Sequence, residues 1–188
     1  MPVIVSLLRA VNVGGRNQIR MEALRALYDS LGLRDAQTYV QSGNVVFRTE
    51  ARDVAPLSRR IENEIEENFG FRPAVILRTT AELRQVISRN PFAQRRDVEP
   101  NRLLVTFLAA KPAPEARAKA LAIKPDPEEL HIAARELYVF YPNGMGRAKL
   151  SPAFLEKTLA IPGTARNWNT VNKLLEMAEI LEGKNTLR

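Results

Sequence analysis

The feature that most constrains this chain is the order in which strand-like and helix-like hydrophobic patterns follow one another. Val3-Ile-Val-Ser-Leu-Leu-Arg-Ala-Val11 is a nearly unbroken apolar run and predicts a buried strand. Asn12-Val-Gly-Gly-Arg-Asn17 closes it as a loop, because adjacent glycines suit neither period. Met21, Leu24, Leu27, Tyr28 and Leu31 then recur at helical spacing, and Gly32 stops that helix. Thr38-Tyr-Val-Gln41 and Val45-Val-Phe47 predict two short strands around Ser42-Gly43-Asn44, a hairpin signal because Gly and Asn both tolerate positive φ. A second helical stripe, Leu57, Ile61, Ile65 and Phe69, ends at Gly70, and Ala74-Val-Ile-Leu77 is the next strand. The order β-α-β-β-α-β is the split βαβ of a ferredoxin-like unit.

The remainder repeats that order. Thr79 and Glu82 have capping-box spacing for a helix carrying Leu83, Val86 and Ile87, which Asn90-Pro91 ends. Residues 91–101 are polar with two prolines and are expected to be a linker. Beyond them come a strand at Leu103–Leu108, a helix over Ala116–Ile123, a hairpin pair at Leu130–Ile132 and Leu137–Tyr141, and a short helix at Phe154–Leu159. Asn169 is positioned to cap a last helix with Val171, Leu174, Leu175, Ala178 and Leu181 on one face, ending at Gly183. Residues 184–188 are expected to fray. The expectation is an α+β protein of two tandem ferredoxin-like (α/β plait) halves with antiparallel sheets, over 1–90 and 102–188. The duplication is one of element order, since the halves show no residue-by-residue similarity.

Composition narrows function by exclusion. The chain has no Cys, which excludes a disulfide framework, thiolate zinc and iron–sulfur sites and a Cys nucleophile. A single histidine, His131, argues against a His-based metal site or a Ser–His triad, and no metal is expected. No run approaches the roughly 18 apolar residues of a membrane span, and the N-terminal run, cut by Arg9, does not read as a signal peptide. A cytoplasmic location is the expectation. The net charge of +7 favours an anionic partner. It is unevenly spread: no acid precedes Glu22, whereas Arg9, Arg16 and Arg20 do.

Three segments combine cations with glycine or asparagine. In the first, Arg9, Asn12, Gly14, Gly15, Arg16 and Asn17 lie between a strand and a helix, where backbone N–H groups and the helix start favour an anion. Neither the dinucleotide fingerprint nor the Walker pattern is present. In the second, Asn143, Gly144, Gly146, Arg147 and Lys149 follow a strand and suit either an oxyanion or a turn. In the third, Arg166, Asn167, Trp168 and Asn169 precede the last helix, and the only Trp could stack on a base or anchor that helix. Gln41-Ser-Gly-Asn44 lacks the Gly-x-Ser-x-Gly elbow and reads as a hairpin turn. Glu128-Glu129, after Pro127, reads as a solvated turn, and no carboxylate pair suggests glycosidase chemistry.

Leu7-Leu-Arg-Ala-Val-Asn-Val-Gly-Gly15, Tyr39-Val-Gln-Ser-Gly-Asn-Val-Val-Phe47, Asn90-Pro-Phe92, Gly146-Arg-Ala-Lys-Leu150 and Ala165-Arg-Asn-Trp-Asn-Thr-Val171 together resemble a bacterial family known as domain of unknown function 1697. That family often has Ile at position 11, Lys at 16 and Ser at 148, where this chain has Val11, Arg16 and Ala148. The resemblance implies two ferredoxin-like subdomains and no activity. Three functional expectations stand. One is a nucleic-acid module, most plausibly for RNA, though the first strand lacks the aromatics of an RNA-recognition sheet. Another is a site between the halves for a phosphorylated or carboxylated small molecule, in which the arginines and Lys149 neutralise charge and the glycines admit the backbone. It could be enzymatic, yet no residue set supplies a base or nucleophile, and no cofactor is identified. The last is an interaction protein in which these motifs serve folding.

Overall fold

The computed structural model describes residues 1–183; residues 184–188, expected to fray, lie outside the described residues. The chain forms two compact units: Met1–Arg84 with the stretch from Lys173 onward, and Gln85–Asn172. Unit 1 holds β1 (Val3–Leu8), α1 (Met21–Ser30), β2 (Arg34–Tyr39), β3 (Asn44–Arg48), α2 (Ala55–Phe69) and β4 (Val75–Thr79), and α3 (Thr80–Ser88) starts in it. Unit 2 holds β5 (Leu103–Leu108), α4 (Pro114–Ala122), β6 (Glu129–Ala133), β7 (Glu136–Phe140), α5 (Pro152–Leu159) and β8 (Gly163–Asn167), and α6 (Trp168–Gly183) starts in it. The units thus divide inside α3 and inside α6. Among the described residues, no helix is long and apolar enough to cross a membrane.

This is an α+β fold with two four-stranded antiparallel sheets, ordered β2-β3-β1-β4 and β6-β7-β5-β8. In each sheet the first strand of the unit lies inside, paired on both edges. All six residues of β1 and all six of β5 are buried. A strand covered on both faces has no polar face to alternate with, which is why both read as continuous apolar runs. One face of the first sheet, with Ile4, Leu8, Val45 and Phe47, packs on Leu24 and Tyr28 of α1 and on Ile61 and Ile65 of α2. The Tyr28 ring meets Phe47 edge-on at 5.3 Å, and its hydroxyl shares a 2.7 Å hydrogen bond with Ser6. Burial raises the Tyr28 pKa well above that of a free phenol. The second sheet packs Leu104, Leu108, Leu137 and Val139 against Leu155 and Leu159 of α5 and Ala120 of α4.

The two sheets share their register as well as their order. Val5 faces Arg78 across the β1–β4 pair, and Val105 faces Arg166 across β5–β8. Each of these buried arginines donates to the carbonyl before it, Leu77 or Ala165, at 2.9 Å. The residue after each arginine caps the next helix. Thr79 Oγ1 accepts from Glu82 N at 3.1 Å while Glu82 Oε2 accepts from Thr79 N at 2.8 Å, the reciprocal box foreseen in the sequence. Asn167 Oδ1 accepts from Thr170 N at 2.9 Å. The cap of α6 is therefore Asn167, not Asn169 as expected, because β8 carries the extended backbone up to the helix start.

β8 itself escaped the sequence reading. Gly163-Thr-Ala-Arg-Asn167 has no large apolar residue, and the reason is steric: a Cβ on Gly163 would stand 2.9 Å from the Thr106 methyl on β5. β1 ends at Leu8 instead of Val11, because Ala10 and Asn12 both take φ of 55° and turn the chain out of the sheet. At the first hairpin, Val40 joins Gly43 at positive φ, while Asn44 lies inside β3 and its amide donates to Tyr39 O and Ser42 Oγ.

Most of the stretch 91–101 is exposed, and Phe92 is the residue that anchors it. Phe92 is 7% exposed, and its ring centre lies 6.1 Å from that of Phe140. The Arg95 guanidinium sits 5.5 Å from both ring centres and pairs with Glu129 at 2.7 Å and Asp97 at 2.6 Å. Its hydrogen bond to Asp97 holds that carboxyl below its ordinary pKa. Phe92→Ala is therefore expected to destabilise the protein by about 3 kcal/mol in chemical denaturation; a change below about 1 kcal/mol would mean the stretch is a passive connection.

Candidate functional site

Antiparallel pairing of Glu129 with Phe140 brings two connections to one end of the β6–β7 hairpin. One is the turn Asp126-Pro127-Glu128 that enters β6, with a cis Asp126–Pro127 peptide bond. The other is the loop that leaves β7 after Phe140. Between them lies a cavity of about 610 Å³, lined by that turn and by Asn143, Gly144, Gly146 and the Arg147–Lys149 run.

The loop is built from two successive turns. Gly144 N donates to Tyr141 O at 2.9 Å and Ala148 N to Met145 O at 3.2 Å. Pro142 fixes φ at the second position of the first turn, and Gly144, with φ of 77°, supplies the left-handed residue that closes it. The loop is also laced to the unit. The Tyr141 hydroxyl donates to Leu150 O at 2.6 Å, Arg102 donates to Pro142 O, and Lys149 N donates to Glu128 Oε1 at 3.3 Å. Ser151 then caps α5 through Phe154 N. Burial, and behind it the charge of Glu128, raises the Tyr141 pKa above the phenol range.

Charge is segregated across the cavity. Asp126 and Glu128 stand on one wall, and Arg147 and Lys149 on the loop. Among the described residues, neither the Arg147 guanidinium nor the Lys149 ammonium takes part in a hydrogen bond or ion pair. Glu128 is only 7% exposed, and its Oε2 is buried without a hydrogen-bond partner. The sequence reading of Glu128-Glu129 as a solvated turn is corrected here: Glu128 is buried, and Glu129 belongs to β6 and pairs with Arg95. Leu130 and Ile132 both pack on the core, and stepping back two residues along that alternation lands on Glu128. The signal was present in the sequence but was outweighed by Pro127 and the doubled acid.

The other candidate segments serve mainly their own backbone. Residues 12–17 form a miniature hairpin: Asn12 N donates to Asn17 O at 3.1 Å and Arg16 N to Val13 O at 3.1 Å, with Gly14 and Gly15 at φ of 58° and 73° in the turn. Asn12 spends its amide on Ile19 O at 3.0 Å and Gln41 O at 2.7 Å, and its oxygen accepts from Ile19 N at 2.8 Å. Asn17 donates to Ala10 O at 3.0 Å. Both asparagines are thus clamps for a loop that needs left-handed residues. Arg9 and Arg16 are exposed at its surface. In unit 2, Arg166 is buried and donates to Thr164 Oγ1 at 2.7 Å; burial lowers its pKa to about 10. Trp168 is half-buried, and its carbonyl accepts from Asn172 at 2.7 Å; Asn169 is exposed. None of residues 166–169 lines the cavity.

Arg166→Ala is expected to cost about 3 kcal/mol of stability, measured by urea denaturation, because it empties a buried site and strips a partner from Thr164. Gly146 has an ordinary φ, and nothing lies within 4 Å of where its Cβ would be, so the fold does not require glycine there. Gly146→Ala should therefore leave stability within about 0.5 kcal/mol. Gly144→Ala should lose about 1–2 kcal/mol, because φ of 77° disfavours an L side chain. Equal losses at the two positions would show that the second turn, like the first, depends on glycine.

Residues 1–138 match the family described as "Protein of unknown function (DUF1697)". The chain is also similar to the solved structure of a conserved bacterial protein from Streptococcus pneumoniae, with 23% identity over 95% of this chain and 99% of that one, and a TM-score of 0.73. At that identity the likeness speaks for the fold. No curated protein matches the sequence. The matched stretch includes the 12–17 hairpin and ends before the loop of residues 143–149, and the chain belongs to the DUF1697 family of proteins of unknown function.

Proposed function

We propose that this protein binds a small anionic ligand in the cavity of unit 2, with Arg147 and Lys149 as the anion-contacting side chains, on a scaffold of two ferredoxin-like halves in tandem. The scaffold reading is supported by the shared strand order, the matched Val5–Arg78 and Val105–Arg166 pairs, and the helix cap after each arginine. The observation that carries the functional reading is the pre-built loop. Two turns, held by Tyr141, Arg102 and the carboxylate of Glu128, present two cations that no group among the described residues neutralises. A site ordered before binding gives up little conformational entropy when the ligand arrives.

A small ligand is favoured over a nucleic acid by the sheets. Base stacking on a plait-type sheet needs aromatic side chains open to solvent on its central strands. Every residue of the four central strands, β1, β3, β5 and β7, is buried, so none of them offers such a platform. Gly146 fits the same reading, since a glycine that the fold does not require leaves the cavity wall low.

The test is a titration of the ¹⁵N-labelled protein with inorganic phosphate and with citrate, followed by NMR. Saturable shifts should concentrate on the amides of residues 143–149. The double variant Arg147→Ala, Lys149→Ala should weaken the affinity at least about ten-fold, a loss in line with one charge-assisted contact. Arg16→Ala should leave it unchanged. Shifts that instead follow the 12–17 hairpin would transfer the site to unit 1.

A further inference from the structure

We infer that the end of unit 1 formed by the 12–17 hairpin and the 40–43 turn is a docking surface for an acidic peptide segment of a partner protein. An aliphatic side chain of the partner rests on Val13 and Val40, and carboxylates beside it pair with Arg16 and Arg20. The surface lies in unit 1 and does not depend on the reading of the unit 2 cavity.

Val40 holds φ of 49°, a left-handed conformation that Gly or Asn adopts readily and a β-branched residue does not. The fold makes no use of its side chain, which is 50% exposed and lies outside the core of the unit. Val13, at 61%, is the most exposed large hydrophobic residue among the described residues. The two valines share one surface, because Asn12 donates to Gln41 O at 2.7 Å and each valine adjoins one end of that bond. Asn12 also holds Ile19, beside Arg20, through bonds of 2.8 and 3.0 Å. The surface is rigid: Leu8 N donates to Gly43 O at 2.9 Å, and a Cβ on Gly43 would stand 2.8 Å from that of Leu8. An apolar contact held in place gives up little entropy when a partner seats on it.

Charge selects the partner. Residues 1–21 carry Arg9, Arg16 and Arg20 and no acid, and all three arginines are exposed. Among the described residues, the Arg16 and Arg20 guanidinium groups take part in no hydrogen bond or ion pair. The chain before β4 meets the same end, since Arg9 N donates to Ala74 O, and there Arg72 already takes up Glu62 and Glu66. The guanidinium fork matches a carboxylate, and arginine around an apolar centre is the usual composition of a protein interface. Single-stranded nucleic acid needs aromatic platforms for its bases, and residues 9–20 and 40–43 include none. A membrane asks for more apolar area than two valines supply, since even one myristoyl chain binds it marginally. An aliphatic residue between acids meets the valines and the arginines together.

The test probes the full chain with an array of short peptides carrying one or two Leu, Ile or Val residues among Asp and Glu, each beside a counterpart with Ser at the aliphatic positions. The tightest binder is then titrated into ¹⁵N-labelled protein. It should bind at least about ten-fold tighter than its Ser counterpart, the size expected for one buried aliphatic side chain, and shift the amides of residues 9–20 and 39–44. Val40→Asn, which suits the left-handed backbone, should raise the thermal midpoint and yet weaken the peptide at least about five-fold. Val13→Thr, which keeps the shape of the side chain, should weaken it likewise, as should Arg16→Ala and Arg20→Ala. The double variant Arg147→Ala, Lys149→Ala should bind the peptide as the wild type does. Loss of binding in that variant would place the peptide in the cavity and overturn the surface. An array without preference for aliphatic residues, or full binding by Val40→Asn and Val13→Thr, would overturn the apolar contact on which the inference stands. Tighter binding of oligothymidylate or of phosphatidylserine vesicles at the same amides would overturn the peptide in favour of that anion.

Discussion

Each sheet is built on two inner strands that are paired along both edges and wholly buried, β1 with β3 and β5 with β7. β1 and β5 have no exposed residue, so their side chains cannot be shifted by one position without driving a layer of Val and Leu out of place. That fixed register sets everything at the sheet ends. Because Val105 must face Arg166, Asn167 falls where it caps α6. Because β7 pairs with both β5 and β6, the turn before β6 and the loop after β7 open at one end, and the cavity between them follows from the register of the sheet.

The parts of the fold most legible in the sequence were those where burial and local chemistry agree. The apolar runs of β1 and β5 and the stripes of α1 and α2 are written by burial alone. The box of Thr79 and Glu82 is written by two side chains within one turn. Where a residue answers to a distant neighbour, the sequence was mute. Gly163 is small because of Thr106, nearly sixty positions earlier, so β8 looked like loop. Phe92 and Arg95 find their partners at Phe140 and Glu129, so the anchoring of this otherwise exposed stretch could not be read locally.

The candidate site divides along the same line. Gly144, Gly146, Arg147 and Lys149 could be named as an anion-favouring cluster because glycine and cations lie together in the chain. Their acidic counterpart could not, since Glu128 joins them only across the hairpin, and a doubled acid after proline ordinarily means solvent. The asparagines of the first loop misled for a physical reason. Asn at left-handed φ and Asn that orients a ligand look alike in sequence, and at positions 12 and 17 the backbone takes up the amide.

The route of the chain through its two units has a consequence for synthesis. Unit 1 opens the chain but takes its last helical segment from beyond unit 2: Arg48 donates to Leu181 O, and Arg84 pairs with Glu179 and Glu182. On a ribosome the first four strands emerge before unit 2, yet the carbonyl and carboxylates that meet Arg48 of β3 and Arg84 of α3 are translated only after it. Unit 1 is therefore completed only after unit 2, and during that interval it must keep an unfinished surface from other contacts while the whole of unit 2 is made.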